Sequence, residues 1–216
     1  MKNLTIIVLA MFAAFAPMTS SAKRLGLSAE VNMGFNSESE ADKIVGKRGL
    51  TGEMSLDDED VDESLGASVA WHTRYGKRWL MGARLGFIGG ETDDLDGKVS
   101  IIDLGFSARY RIPMDAFELQ LGGAVGLSNI TTEIGADKFG ASGGDIEFTG
   151  SGYHVLLGVG VSKPISRDMA FVGGAYLSRH GASTLKGEHK VSGYTYKADI
   201  EDVKLSQFLV TAGLAF

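Results

Sequence analysis

Two-residue alternation over eight segments, connections that alternate between short and long, and a polar face built mostly from Gly, Ala and Ser predict an all-β fold. Its form is an eight-stranded antiparallel up-and-down transmembrane β-barrel, the smallest even number of strands that closes across a membrane. Each alternating segment runs for about ten residues, the length a tilted strand needs to cross a bilayer. The 30 glycines against only three prolines agree, because small residues suit strands whose backbones approach closely.

Ahead of the first strand, Lys2 precedes the apolar run Leu4 to Ala16, followed by Pro17 and the small cluster Thr19-Ser20-Ser21-Ala22. A short basic region, an apolar core and Ser20-x-Ala22 as a cleavage site predict a signal peptide over residues 1–22 and a barrel domain over residues 23–216. No later apolar run approaches the roughly 18 residues of a membrane helix. Lack of cysteine excludes disulfides, thiolate metal sites and a processed lipoprotein anchor. The net charge of −6 leaves no basic footprint for nucleic acid.

The first strand, Arg24 to Asn36, carries Leu25, Leu27, Ala29, Val31, Met33 and Phe35 on one face and Gly26, Ser28, Glu30 and Asn32 on the other. Ser37 to Glu63, ending in the acidic run Asp57 to Glu63, is expected as a long loop. The second strand follows from Ser64 to Tyr75, with Leu65, Val69 and Trp71 outward and His72 and Arg74 inward. Gly76-Lys77-Arg78 turns into a third strand with Trp79, Met81, Leu85 and Phe87 outward and Arg84 inward. Glu91 to Lys98 is expected as an acidic loop.

Strand four, about Val99 to Ile112, sets Ile102, Leu104, Phe106 and Tyr110 outward against Asp103, Ser107, Arg109 and Arg111. After a turn at residues 113–115, strand five has Phe117, Leu119, Leu121, Val125 and Leu127 outward and Glu118, Gln120 and Gly126 inward. Ser128 to Glu147 is expected as a loop. Strand six then places Tyr153, Leu157, Val159 and Val161 outward and His154 inward. The short connection 163–168 leads to strand seven, Met169 to His180, where Phe171 outward with Tyr176, Ser178 and His180 inward is the favoured facing. Gly181 to Asp202 is the last long connection, within which Tyr194 to Ala198 alternates enough to extend strands seven and eight as a hairpin.

The last strand carries the most specific signal. From Phe216 back by twos run Leu214, Ala212, Val210 and Phe208, an aromatic-terminated apolar face opposite Ala215, Gly213, Thr211, Leu209 and Gln207. This strand resembles the assembly signal of Gram-negative outer-membrane β-barrels. The chain is similar to the transmembrane domain of OmpA and the small OmpX-like, porin-family barrels over nearly all its mature length. The resemblance implies residence in the bacterial outer membrane, contact with lipid and lipopolysaccharide, handling by the outer-membrane assembly machinery and a monomeric state. A secreted soluble sandwich or lipocalin-like barrel also alternates, but its polar face would carry many Lys and Glu in place of Gly, Ala and Ser.

Charges inside so narrow a lumen need partners. Glu30 with Arg84, and Glu118 with Arg109, are the expected ion pairs, judged by distance from the strand ends. A lumen plugged in this way implies a structural or adhesion-like surface protein acting through its outer loops. The alternative is a narrow gated pore for small solutes or ions. A lipid A-modifying enzyme is the third reading, because some barrels of this size act on lipid A. Ser178/His180 is its best nucleophile–base pair, but the order is the reverse of the His-x-Ser that the deacylase family carries, so no catalytic residue is assigned. No cofactor motif and no metal motif appears; Asp57 to Glu63 lacks the spacing of a Ca²⁺ loop and reads as a solvated segment.

Overall fold

The computed structural model describes residues 25–47, 53–92, 97–136, 144–191 and 194–216; the expected signal peptide lies outside them. Eight antiparallel strands form one closed ring in sequence order: β1 (Leu25–Lys47), β2 (Glu53–Tyr75), β3 (Trp79–Thr92), β4 (Gly97–Pro113), β5 (Glu118–Gly135), β6 (Asp145–Pro164), β7 (Ala170–Val191) and β8 (Tyr194–Ala215). Closure leaves no open edge, so every strand finds backbone partners on both sides, as a hydrocarbon environment demands. The final bond of the seam is reciprocal: Leu27 donates to the Phe216 carbonyl at 3.2 Å and Phe216 donates to Leu27 at 2.8 Å. Phe208 and Val210 are 40% and 41% exposed on the outer face of β8, opposite Phe35 and Met33 of β1.

The outer wall is apolar where the sequence alternates most cleanly. Leu104, Phe106, Val125 and Leu157 are all more than half exposed, which is the arrangement of a lipid-facing band. Trp79 meets Tyr110 edge-on at 5.1 Å, and Arg78 donates a 2.6 Å hydrogen bond to the Tyr110 hydroxyl near the short-turn end. Tyr75, Phe117 and Phe171 stand exposed at the same end, giving an aromatic girdle at that rim. β7 faces as expected, with Phe171 and Leu177 outward and Val172, Tyr176, Ser178 and His180 buried inside.

The expected long loops are largely strand. β1 continues to Lys47 and β2 starts at Glu53, so Ser37 to Glu63 is mostly paired backbone, and the acidic run Asp57 to Glu63 lies within β2. β3 and β4 likewise take in both ends of Glu91 to Lys98, and β5 and β6 more than half of Ser128 to Glu147. β7 and β8 run through Gly181 to Asp202 as a hairpin. Polarity signals water on the outer face, not irregular backbone, because strands above a membrane keep their hydrogen bonds with each other. In the extensions of β5 to β8 the faces swap character. Ile146 and Phe148 are buried inside while Glu147 and Thr149 are exposed, the pattern of a water-soluble barrel. Ile130, Ile134, Leu185, Ile200 and Val203 join them in one buried apolar cluster.

Removing Phe216 deletes both seam bonds to Leu27. The truncated protein should reach the outer membrane in clearly lower yield, read as the fraction of heat-modifiable folded species on gels; insertion at the intact level would overturn the role given to this residue.

Candidate functional site

The site is the lumen. Its layout follows from strand tilt: hydrogen-bonded partners traced from Ser28 pass through Ala70, Arg84, Gly105, Gly126, His154, His180 and Leu205, and return to β1 at Ser39. The ring therefore closes as a spiral, the stagger that tilted strands require. Residues equally far from their strand ends are consequently not at equal heights.

This stagger corrects the expected pairing. Glu30, Arg84 and Arg109 are buried, and Glu118 is partly buried, but their partners differ. Glu30 of β1 accepts a 2.9 Å bond from Arg109, which reaches across the lumen from β4. Arg84 pairs with Asp103 on the neighbouring strand at 2.5 Å. Glu118 pairs with Arg111, the two sitting diagonally across β4 and β5. Arginine stems are long enough to choose a diagonal or a facing wall, and strand counting does not see that reach.

The layers above the short-turn end can be followed upward. A cavity of about 670 Å³ opens there, lined by Arg74, Arg111, Glu118, Arg167 and Phe216, and it stops at Arg109 and His72. Arg109 also donates to Gln120 at 3.3 Å, and His72 Nε2 lies 2.7 Å from the Ser107 hydroxyl. Arg84 and Asp103 form the next layer. Gly86 stands opposite Asp103, and a Cβ there would come within 2.4 Å of the Asp103 carboxylate and 2.8 Å of the Arg84 guanidinium. Glycine at that position makes the room this pair occupies.

Asp103, His154 and His180, which no motif brings together in sequence, converge at the level of the Arg84 pair. His154 and His180 are direct cross-strand partners with rings stacked at 4.7 Å. The Ser178 hydroxyl lies 2.9 Å from His180 Nε2. All four side chains are essentially inaccessible, between 0% and 2% exposed. A Ser–His pair acts on acyl groups only if a carbonyl can reach the serine and an acid orients the other ring nitrogen. His180 Nδ1 makes no hydrogen bond, and the pair is sealed in the packed interior, so the geometry does not favour Ser178 as a nucleophile.

A closed ring of tilted strands with an apolar outer wall and a polar, charge-paired interior defines an integral membrane β-barrel. Residues 5–216 match the family described as the outer membrane protein beta-barrel domain, and the chain belongs to it. No curated protein matches the chain by sequence. Among solved structures, a major outer membrane protein from Thermus thermophilus is similar at TM-score 0.53 and 12% identity, covering 88% of this chain and 99% of that one. Neisserial surface protein A is similar at TM-score 0.50 and 14% identity, covering 88% of this chain and 95% of the other. OprG of Pseudomonas aeruginosa follows at TM-score 0.48 and 10% identity, covering 88% and 94%. At such identities the likeness concerns the fold.

Proposed function

We propose that the protein is a monomeric, non-conducting barrel of the bacterial outer membrane, exported by its 1–22 leader, with a structural or adhesion-like role exerted through the strands it raises above the membrane. One observation carries this reading: the lumen is closed twice, by the Glu30–Arg109 and Arg84–Asp103 pairs at its middle and by the apolar cluster of Ile130, Ile146, Phe148, Leu185 and Ile200 above them. Ions crossing would have to separate buried pairs and then pass a dry segment, each costly in a low dielectric. The raised parts of β5 to β8 show polar side chains to water, so contact with a partner would fall on their outer walls, while lipid and lipopolysaccharide surround the apolar band. Phe216, Leu214, Ala212, Val210 and Phe208 would present the strand read by the assembly machinery.

The cavity of about 670 Å³ that reaches Arg109 from the short-turn end favours one second reading, a narrow pore gated at that residue. Planar-bilayer recording separates the two. The purified barrel should be silent; stable open steps that Arg109→Ala abolishes or enlarges would replace the surface reading with the pore.

A further inference from the structure

We infer that Asp103, His154 and His180 form a binding site for one divalent transition-metal ion, with Zn²⁺ as the first ion to test, inside the barrel at the level of the Arg84 layer. Each of the three offers a ligand atom within 4.8 Å of those of the other two, and all three are buried at 0–1% exposure. The fold brings them together through a gap in β5. His154 on β6 pairs with Gly126 of β5, which pairs with Gly105 of β4, two residues from Asp103. With no side chain at Gly126, the carboxylate on β4 faces the imidazole on β6 over bare backbone; their nearest atoms, Asp103 Oδ1 and His154 Nδ1, stand 3.7 Å apart, beyond hydrogen-bond reach.

The hydrogen bonds at this level are left incomplete in a particular way. Asp103 Oδ2, both ring nitrogens of His154 and His180 Nδ1 have no hydrogen-bond partner. The large majority of buried polar atoms in native proteins are paired, and here four unpaired ones lie in one small cluster. The remaining atoms are held as outer-shell contacts hold metal ligands. Ser178 engages His180 Nε2, leaving Nδ1 for coordination, and Arg84 anchors Asp103 through Oδ1, the oxygen that stands nearer His154. A cation bound to the three supplies the partner each lacks.

Two imidazole nitrogens and one carboxylate oxygen suit Zn²⁺ and its first-row neighbours, whereas Mg²⁺ and Ca²⁺ prefer all-oxygen shells. Ligand bonds of about 2.0–2.2 Å place tetrahedral donors about 3.5 Å apart, so binding draws the three side chains together by roughly an ångström. The Arg84 guanidinium orients Asp103 and also adds a like charge beside the ion. The three ligands come from β4, β6 and β7, so the ion ties together strands that are not all hydrogen-bond neighbours.

The test uses the untagged, metal-stripped barrel refolded in detergent micelles. Zn²⁺ titration by calorimetry should give one site per chain, and Co²⁺ should produce a visible d–d band. His154→Asn and His180→Asn should each weaken Zn²⁺ binding by at least about tenfold, and Ser178→Ala by about tenfold through the outer shell. His72→Gln, which removes a lumen histidine outside the cluster, should leave binding intact. Heat-modifiability on gels establishes that each variant is folded. A folded wild-type barrel that takes up no Zn²⁺ or Co²⁺, or binding that survives in folded His154→Asn and His180→Asn, overturns the assignment.

Discussion

Arg109→Ala should lower the unfolding free energy of the refolded barrel by about 3–5 kcal/mol, because it strands a buried carboxylate. Glu30 is 4% exposed and Arg109 is 8% exposed. Without the guanidinium, Glu30 loses its one ion-pair partner at hydrogen-bond distance and keeps a 3.4 Å contact from the Ser28 hydroxyl, and Gln120 loses its donor as well. The joint replacement Glu30→Gln with Arg109→Met should recover most of the loss, since removing both charges removes both desolvation penalties. Urea unfolding in micelles reads both outcomes through the fluorescence of Trp71 and Trp79, which stand 54% and 42% exposed on the outer wall and sense the loss of the apolar surroundings. A loss under about 1 kcal/mol in the single variant would show that the cross-lumen pair contributes no more than a surface pair does.

The second large effect concerns the outside of the wall. Leu104 is 61% exposed on β4, between Ile102 and Phe106 in the middle of the apolar band. Arginine there has to hold its charge in hydrocarbon or drag water and headgroups toward it, at about 2–4 kcal/mol near the midplane. The same change at Thr149, exposed on the raised part of β6, should stay within about 0.5 kcal/mol, as surface substitutions generally do. Equilibrium unfolding in lipid vesicles compares the two. Equal costs at both positions would mean that the apolar band does not face lipid.

The membrane-crossing part of this chain could be read from its sequence because one physical contrast, apolar outside against small and polar inside, repeats in every strand there. Of the raised part only the β7–β8 hairpin was legible, from the alternation of Tyr194 to Ala198; the rest was not, because the contrast reverses. Along β6 the apolar residues fall on even positions at Ile146 and Phe148 and on odd ones from Tyr153 through Leu157 and Val161, while the buried face stays even throughout. A search for lipid-facing alternation registers that change as a break. In β8 a further displacement occurs at Asp202, whose φ of 51° lies in the left-handed region. Val203 and Leu205 face inward below it and Ile200 and Ala198 above it, so the side-chain period itself slips by one.

The lumen was legible by residue and not by partner. Glu30, Arg84, Arg109 and Glu118 could be placed on the inner face from alternation alone, as could Asp103, His154 and His180. Which of them touch depends on the spiral closure of the ring and on how far each arginine stem reaches, and neither quantity is carried by spacing along one strand. The Asp103–His154–His180 cluster is the clearest instance. Its members lie on three strands, and the feature that joins them is a missing side chain at Gly126.

The polarity reversal along β6 also measures the barrel. Its outward apolar run extends from Tyr153 to Val161, and at about 3.3 Å per residue with a tilt near 40° that stretch rises ~20 Å. A typical bilayer offers a hydrocarbon core of about 30 Å. Such a wall is short for most membranes and meets less hydrophobic mismatch in the thinner bacterial outer membrane, so its height alone biases where the molecule can rest without deforming the lipid around it.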